Sequence, residues 1–396
     1  MKRLKMLSSY WTTIRSRPND YLVARRKIRQ TVVAMILIAS CASVDTVLAV
    51  GSKLEWRALD ATPKDKSCKA VLFEQPNSIA IDRDGNIYIS NEKGVDALQK
   101  ISPAGTIVTV LSRQSVAPEK DQYFGLSLAI DGMNRVIVGV RSRGTIERLG
   151  DDGRLTLLAG QPGELGFING PPTSAKFKAV AAVAISRLGD IAVADSRTIR
   201  QLAADGSVAT IAGGAQAKAK FLDGQGSRAV FGSPNGIVFD SSGNLYVADG
   251  GVFENEGRSD YFGVIRRVDH MGLVTTLAGD SNAIGGHLDG TGTAAMLSVP
   301  SVIAIDSAGN LYFSDVGVGQ SVRKMDPEGR VTSLIYHVAR YDEPSDRDGT
   351  DPVFMELAGI AVDRKSNIYV VDKGANKLHK IDPVGVVTTL CELSDK

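Results

Sequence analysis

One unit recurs six times along this 396-residue chain, and a fixed repeat decides an architecture before any other feature does. Its first run reads SIAID (Ser78 to Asp82), SLAID (Ser127 to Asp131), AVAIS (Ala182 to Ser186), GIVFD (Gly236 to Asp240), VIAID (Val302 to Asp306) and GIAVD (Gly359 to Asp363). A second apolar run follows each: NIYIS, RVIVG, DIAVA, NLYVA, NLYFS and NIYVV. A third ends in a turn, as in LQKISPAG, IRRVDHMG and LHKIDPVG, and a fourth reads like LVTTLAG or VVTTLC. Units of about 40 residues or more with four short strands each are the mark of a propeller. The expected fold is therefore all-β, a six-bladed β-propeller of four-stranded antiparallel blades preceded by an N-terminal signal segment.

Turn chemistry agrees with this reading. Asp-x-x-Gly-Asn between the first two runs, plain at Asp240 to Asn244 and Asp306 to Asn310, offers a carboxylate to the turn amides and a glycine free to take positive φ. The third residue of the first run is Ala80, Ala129, Ala184, Val238, Ala304 or Ala361, small enough for the crowded zone where inner strands converge.

The phrase P-x-G-I-A-V-D-x-x-G-N-L-Y-V-A-D, followed by I-R-K-x-x-P-x-G-x-V-T-T-L-A-G, resembles the NHL repeat, a family of six-bladed propellers. The likeness is closest over Pro234 to Gly279, Pro300 to Leu334 and Gly359 to Leu390, and it covers residues 73 to 392. Blade 2 is the poorest copy, with Val140 where other blades carry Asn91, Asp195, Asp249, Asp315 and Asp372. The family implies binding more often than catalysis, and fold alone does not fix function.

The N-terminus divides the chain into a leader (1–49), a linker (50–72) and the propeller (73–396). Nine basic residues and one acid, Asp20, lie in the first 40 positions, ahead of an apolar run from Thr31 to Val44. That is the pattern of an export signal. Ile38-Ala39-Ser40-Cys41 resembles a lipobox, with Cys41 as the lipidation site; Val47-Leu48-Ala49 offers ordinary cleavage; an uncleaved anchor is the third reading. All three place the body outside the cytoplasm, in the periplasm or outer envelope, with membrane contact only through the lipid or signal anchor. The remainder holds 37 basic against 43 acidic residues, a net charge of −6, which argues against nucleic acid as a partner. Cys68 and Cys391 then form an even pair. They are read either as a disulfide closing the ring or as two independent buried thiols.

Long connections enter each blade on one face, so binding is expected at that mouth. Its candidate residues are Glu254, Arg258, Tyr261, Phe262, His287, Arg340, Tyr341 and Asp342. Aromatics beside carboxylates and arginine suit a protein, peptide or carbohydrate ligand bound by a monomer. The repeated Asp-Gly-x-Gly phrases, DGQGSRAVF (Asp223 to Phe231) and DGTGTAAML (Asp289 to Leu297), lack the spaced acids of a calcium loop. They read instead as plugs between blades, with the Asp capping a turn, and neither metal nor cofactor is expected. The alternative is a metal-assisted lyase or lactonase using Glu356 with His287 or His337, weakened by a total of four histidines.

Overall fold

The structure is a computed structural model, and it describes residues 73–93, 96–112, 125–214, 221–255, 258–280, 285–317, 319–337 and 354–391. The leader, including Cys41, and the linker with Cys68 lie outside the described residues, as do Arg340, Tyr341 and Asp342.

Six antiparallel sheets follow one another, each with four consecutive strands hydrogen-bonded in chain order, and in blades 4 and 5 a two-residue strand of the incoming connection, Gly224–Gln225 or Gly290–Thr291, pairs with the outermost strand as a fifth. The innermost strands are Pro76–Ile81, Leu126–Ile130, Val180–Ile185, Pro234–Phe239, Val299–Ile305 and Leu357–Val362. The second strand is almost wholly buried in blades 1 to 3, 5 and 6, as in Ile191–Asp195 and Val136–Val140, whereas that of blade 4 runs on past the sheet to an exposed Val252. Such strands, covered on both faces, tolerate the continuous apolar runs seen in the sequence. The turn carboxylates act as the repeat predicts: Asp240 Oδ1 accepts the Ser242 and Asn244 amides at 2.8 and 2.9 Å, and Oδ2 accepts Asn244 Nδ2 at 2.8 Å.

The core consists of layers between blades. Ala80 packs with Leu128, Ala129 with Val183, Ala184 with Ile237, Val238 with Ile303, Ala304 with Ile360, and Ala361 with Ile79. The small side chain of each inner strand thus receives the branched side chain of the next, and the sixth layer joins the last blade to the first. Phe73, 1% exposed, is the plug of that closing layer, where it packs with Val371, Leu378 and Cys391.

Ile79, Leu128, Val183, Ile237, Ile303 and Ile360 also ring the axis, none more than 8% exposed. This apolar constriction separates a cup on the face where long connections enter from a funnel on the face of the tight turns.

Candidate functional site

The loop face is built from the connections that enter each blade, and in blades 3 to 5 one buried arginine fixes them. Arg200, Arg266 and Arg323 sit at the same place on the third strand, opposite Val193, Val247 and Phe313, with side chains 0% exposed. Each guanidinium faces the strand-two aspartate, at 3.0 Å to Asp195, 3.3 Å to Asp249 and 3.2 Å to Asp315. The other oxygen of each aspartate accepts two backbone amides at the entrance to its blade: Lys178 and Ala179, Gly232 and Ser233, Ser298 and Val299. The terminal guanidinium nitrogens also donate to carbonyls of the incoming connection, Ile168, Leu222 and Leu288 among them, while the buried Nε of each arginine has no hydrogen-bond partner among the described residues. An arginine can satisfy so many acceptors because its five donors form a planar fork.

The aspartates of the Asp-Gly-x-Gly phrases belong to this clamp. Asp223 accepts Arg266 Nη2 at 2.8 Å and the Thr276 amide at 2.8 Å; Asp289 accepts Arg323 Nη2 at 3.0 Å and Ser333 Oγ at 2.7 Å. They therefore reach across to the blade where turn capping was expected. The cause is the buried cation, which draws a second anion. The plug reading of the same phrases stands, since Ala229 and Phe231 are 0% exposed within the layer between blades 3 and 4. Burial pushes the Asp249 carboxyl up to about 6 and that of Asp315 up to about 7, while the neighbouring arginine pulls each down.

His287 lies within this clamp. Its Nε2 is 2.9 Å from Ser333 Oγ and its Nδ1 3.3 Å from Arg323 Nη1. Burial and then the Arg323 charge hold the imidazole down at about 4, so it is neutral at physiological pH. Glu356 belongs to another group on blade 6: Lys373 Nζ lies 3.3 Å from it and 2.8 Å from Glu92 of blade 1. His287 and Glu356 are thus held by different partners. Among the described residues no group of three or more His, Cys, Asp or Glu is placed to hold a metal ion.

Blade 4 carries the projecting element. Leu245–Asn255 and Arg258–Val268 pair along their whole lengths, from Leu245 with Val268 out to Asn255 with Arg258. The hairpin leans on blade 5: a Cβ at Gly263 would stand 2.2 Å from Pro300 Cδ, and at Gly250 2.8 Å from it. Tyr261 accepts the Gly285 amide through its carbonyl at 2.5 Å and sets its ring beside Gly317. Phe262 faces inward, 2% exposed against Phe221 and Val264. Strand alternation puts it in the hairpin's core, away from the surface where a ligand was expected. Glu254 and Arg258 stand on the distal hairpin.

The cup has a volume of about 240 Å³ and is lined by Asn77, Ser127, Asn235, Ser301, Glu92 and Arg141 above the aliphatic ring. Its charge is one-sided. The residue after the strand-two aspartate position is Lys373, Glu92 and Arg141 in blades 6, 1 and 2, but Ser196, Gly250 and Val316 in blades 3, 4 and 5. Glu92 is paired with Lys373, whereas the Arg141 guanidinium has no ionic or hydrogen-bonding partner among the described residues. Sequence reasoning missed both the arginine clamp and Arg141. The clamp could have been found, because an arginine recurs in IRQL, IRRV and VRKM and is replaced in LQKI, IERL and LHKI.

No protein-family model and no curated protein sequence matches the chain. Solved structures do. A structural genomics protein of unknown function from Bacteroides thetaiotaomicron matches with a TM-score of 0.55 at 17% identity, over 78% of this chain and 70% of its own. An auxiliary nutrient binding protein from the same organism matches with a TM-score of 0.54 at 12% identity, over 80% and 69%. The virginiamycin B lyase of Staphylococcus aureus matches with a TM-score of 0.47 at 17% identity, over 81% and 85%. The two likenesses with TM-scores above 0.5 concern the fold alone.

Proposed function

We propose that this chain is an exported NHL-type β-propeller that serves as a binding or scaffolding module at the cell envelope, with its ligand at the loop-bearing mouth. The observation that carries this reading is Arg141, which has no ionic partner among the described residues, in a polar cup beside a braced, projecting hairpin. A rigid scaffold that holds polar groups over a concave floor suits recognition of a carbohydrate or an extended peptide. Arg141, Glu92 and Asn235 form the inner contacts, and Glu254, Arg258, Tyr261, Arg340, Tyr341 and Asp342 the outer ones. The protein acts as a monomer and meets the membrane only through its leader, by Cys41 lipidation or a retained signal.

The same reading includes a Cys68–Cys391 disulfide that closes the ring. The repeat supports it. Gly226 and Gly292 stand five residues before the plugs Phe231 and Leu297, and a Cβ on either would lie 3.8 Å from the carbonyl oxygen of Ile211 or Leu277 on the preceding blade. Cys68 stands five residues before the plug Phe73, and Cys391 follows Leu390, the counterpart of Ile211 and Leu277. The Cys391 side chain is 2% exposed.

Glycan and peptide arrays probed with the wild type, Arg141→Ala and Tyr261→Ala test the binding role. Selective binding by the wild type, weakened in both variants, is expected. Equal binding by all three would refute the loop-face site.

A further inference from the structure

The turn face has its own concavity, and its chemistry differs from that of the cup. The funnel there belongs to a cavity of about 780 Å³ whose axial floor is Ile81, Ile130, Ile185 and Val362. Arg83, Arg187, Arg364 and Lys365 line it above that floor. The three arginines occupy one place in the repeat, directly after Asp82, Ser186 and Asp363, so the symmetry of the ring brings them to the same axial opening. All four cations are exposed, and none has an ion-pair partner among the described residues.

The acids that share the cavity are turned away or neutralised. Asp82 is 7% exposed and accepts the Asp84 and Asn86 amides and Asn86 Nδ2. Asp363 accepts the Lys365 and Asn367 amides and Asn367 Nδ2 in the same way. Asp131 is paired with Arg135 at 2.6 Å. Asp84, which holds Asn134 Nδ2 at 2.9 Å, is the one outward acid among the described lining residues. Arg83 is aimed by its own bond, with Nη1 donating to the Gly132 carbonyl at 2.7 Å. An otherwise acidic body therefore gathers guanidinium groups that have no ion-pair partner among the described residues at one axial opening, where their planar forks match the oxygens of a phosphate.

We propose that the turn-face funnel formed by Arg83, Arg187, Arg364 and Lys365 is a second binding site, for a multiply charged oxyanion of the phosphate type. The ligand sits on the axis above the apolar floor. A lipid headgroup and a soluble phosphate compound offer the same chemistry, and the test separates them.

The full-length protein is titrated with pyrophosphate by calorimetry at low salt, and with phosphatidylglycerol-containing and phosphatidylcholine-only vesicles by sedimentation. Arg187→Glu and Arg364→Glu are compared with Lys93→Glu, a reversal of an exposed cation on the opposite face, and thermal melts check folding. Arg187→Gln and Arg364→Gln stand in for any reversal that melts early. Pyrophosphate binding is expected to weaken about tenfold with each turn-face reversal, to fall with added salt, and to be unchanged by Lys93→Glu. Vesicle binding that pyrophosphate displaces would assign the headgroup as ligand; pyrophosphate binding alone would assign a soluble one. Failure to bind either, or equal affinity in the turn-face variants, would overturn the site.

Discussion

At the scale of single residues the molecule is governed by three arginines that are wholly out of water. A buried charge is tolerated when it is paired and hydrogen-bonded, and removing one partner exposes the full cost of the other. Arg266→Ala is expected to destabilise the protein by roughly 3–5 kcal/mol, measured by denaturant unfolding, because Asp249 is left buried and unpaired. The double replacement Arg266→Met with Asp249→Asn should cost clearly less. His287 gives a pH signature. Its folded value of about 4 lies below that of a free imidazole, so the unfolded chain takes up the proton first. The stability it contributes is present above pH 6.5 or so and is lost as pH falls towards 4, by roughly 1–3 kcal/mol after screening. Phe167 and Phe221 occupy the equivalent place in blades 3 and 4, so His287→Phe should flatten this dependence in melts between pH 4 and 7. The turn aspartates and small inner-strand residues were legible in the sequence because their reasons are local. The Arg–Asp partnership was not, since its separation changes from pair to pair, from 5 positions for Arg200 with Asp195 to 43 for Arg266 with Asp223.

At the scale of elements, the hairpin of blade 4 is the clearest departure from the repeat. Strand pairing alone would leave a two-stranded ribbon marginal, and contact with Pro300 supplies what it lacks. Gly263→Ala must displace that contact, because its Cβ would meet Pro300 Cδ at 2.2 Å and the Ser298 carbonyl at 2.9 Å. A loss of roughly 1–3 kcal/mol is expected, with faster amide exchange confined to the hairpin and the start of blade 5. The insertion was visible in the sequence as extra length between two strands. Its direction was visible too, since strands two and three join on the face where long connections enter. Which of its side chains face inward was not, because Phe262 is buried by Phe221, a residue 41 positions away that no local pattern links to it.

At the scale of the whole molecule, the ring is closed by packing of the last blade on the first, and the proposed Cys68–Cys391 bond adds a covalent lock. Replacing both cysteines by serine is expected to lower stability by up to about 5 kcal/mol, read from melts of the oxidised wild type and the double variant. Blade number was open to counting, because the repeat is short and regular. The division of the faces needed three dimensions: clamped connections on blades 3 to 5, charges at the cup on blades 6, 1 and 2, and arginines at the funnel behind. The central claim is that ligand is held at the loop face, and amide hydrogen exchange with and without the array-selected ligand tests it most directly. Protection is predicted at Asn77 to Ser78, at Gly125 to Ser127, beside Arg141 and along Gly250 to Gly263. Protection confined to the tight turns of the opposite face, with the cup and hairpin unchanged, would contradict it.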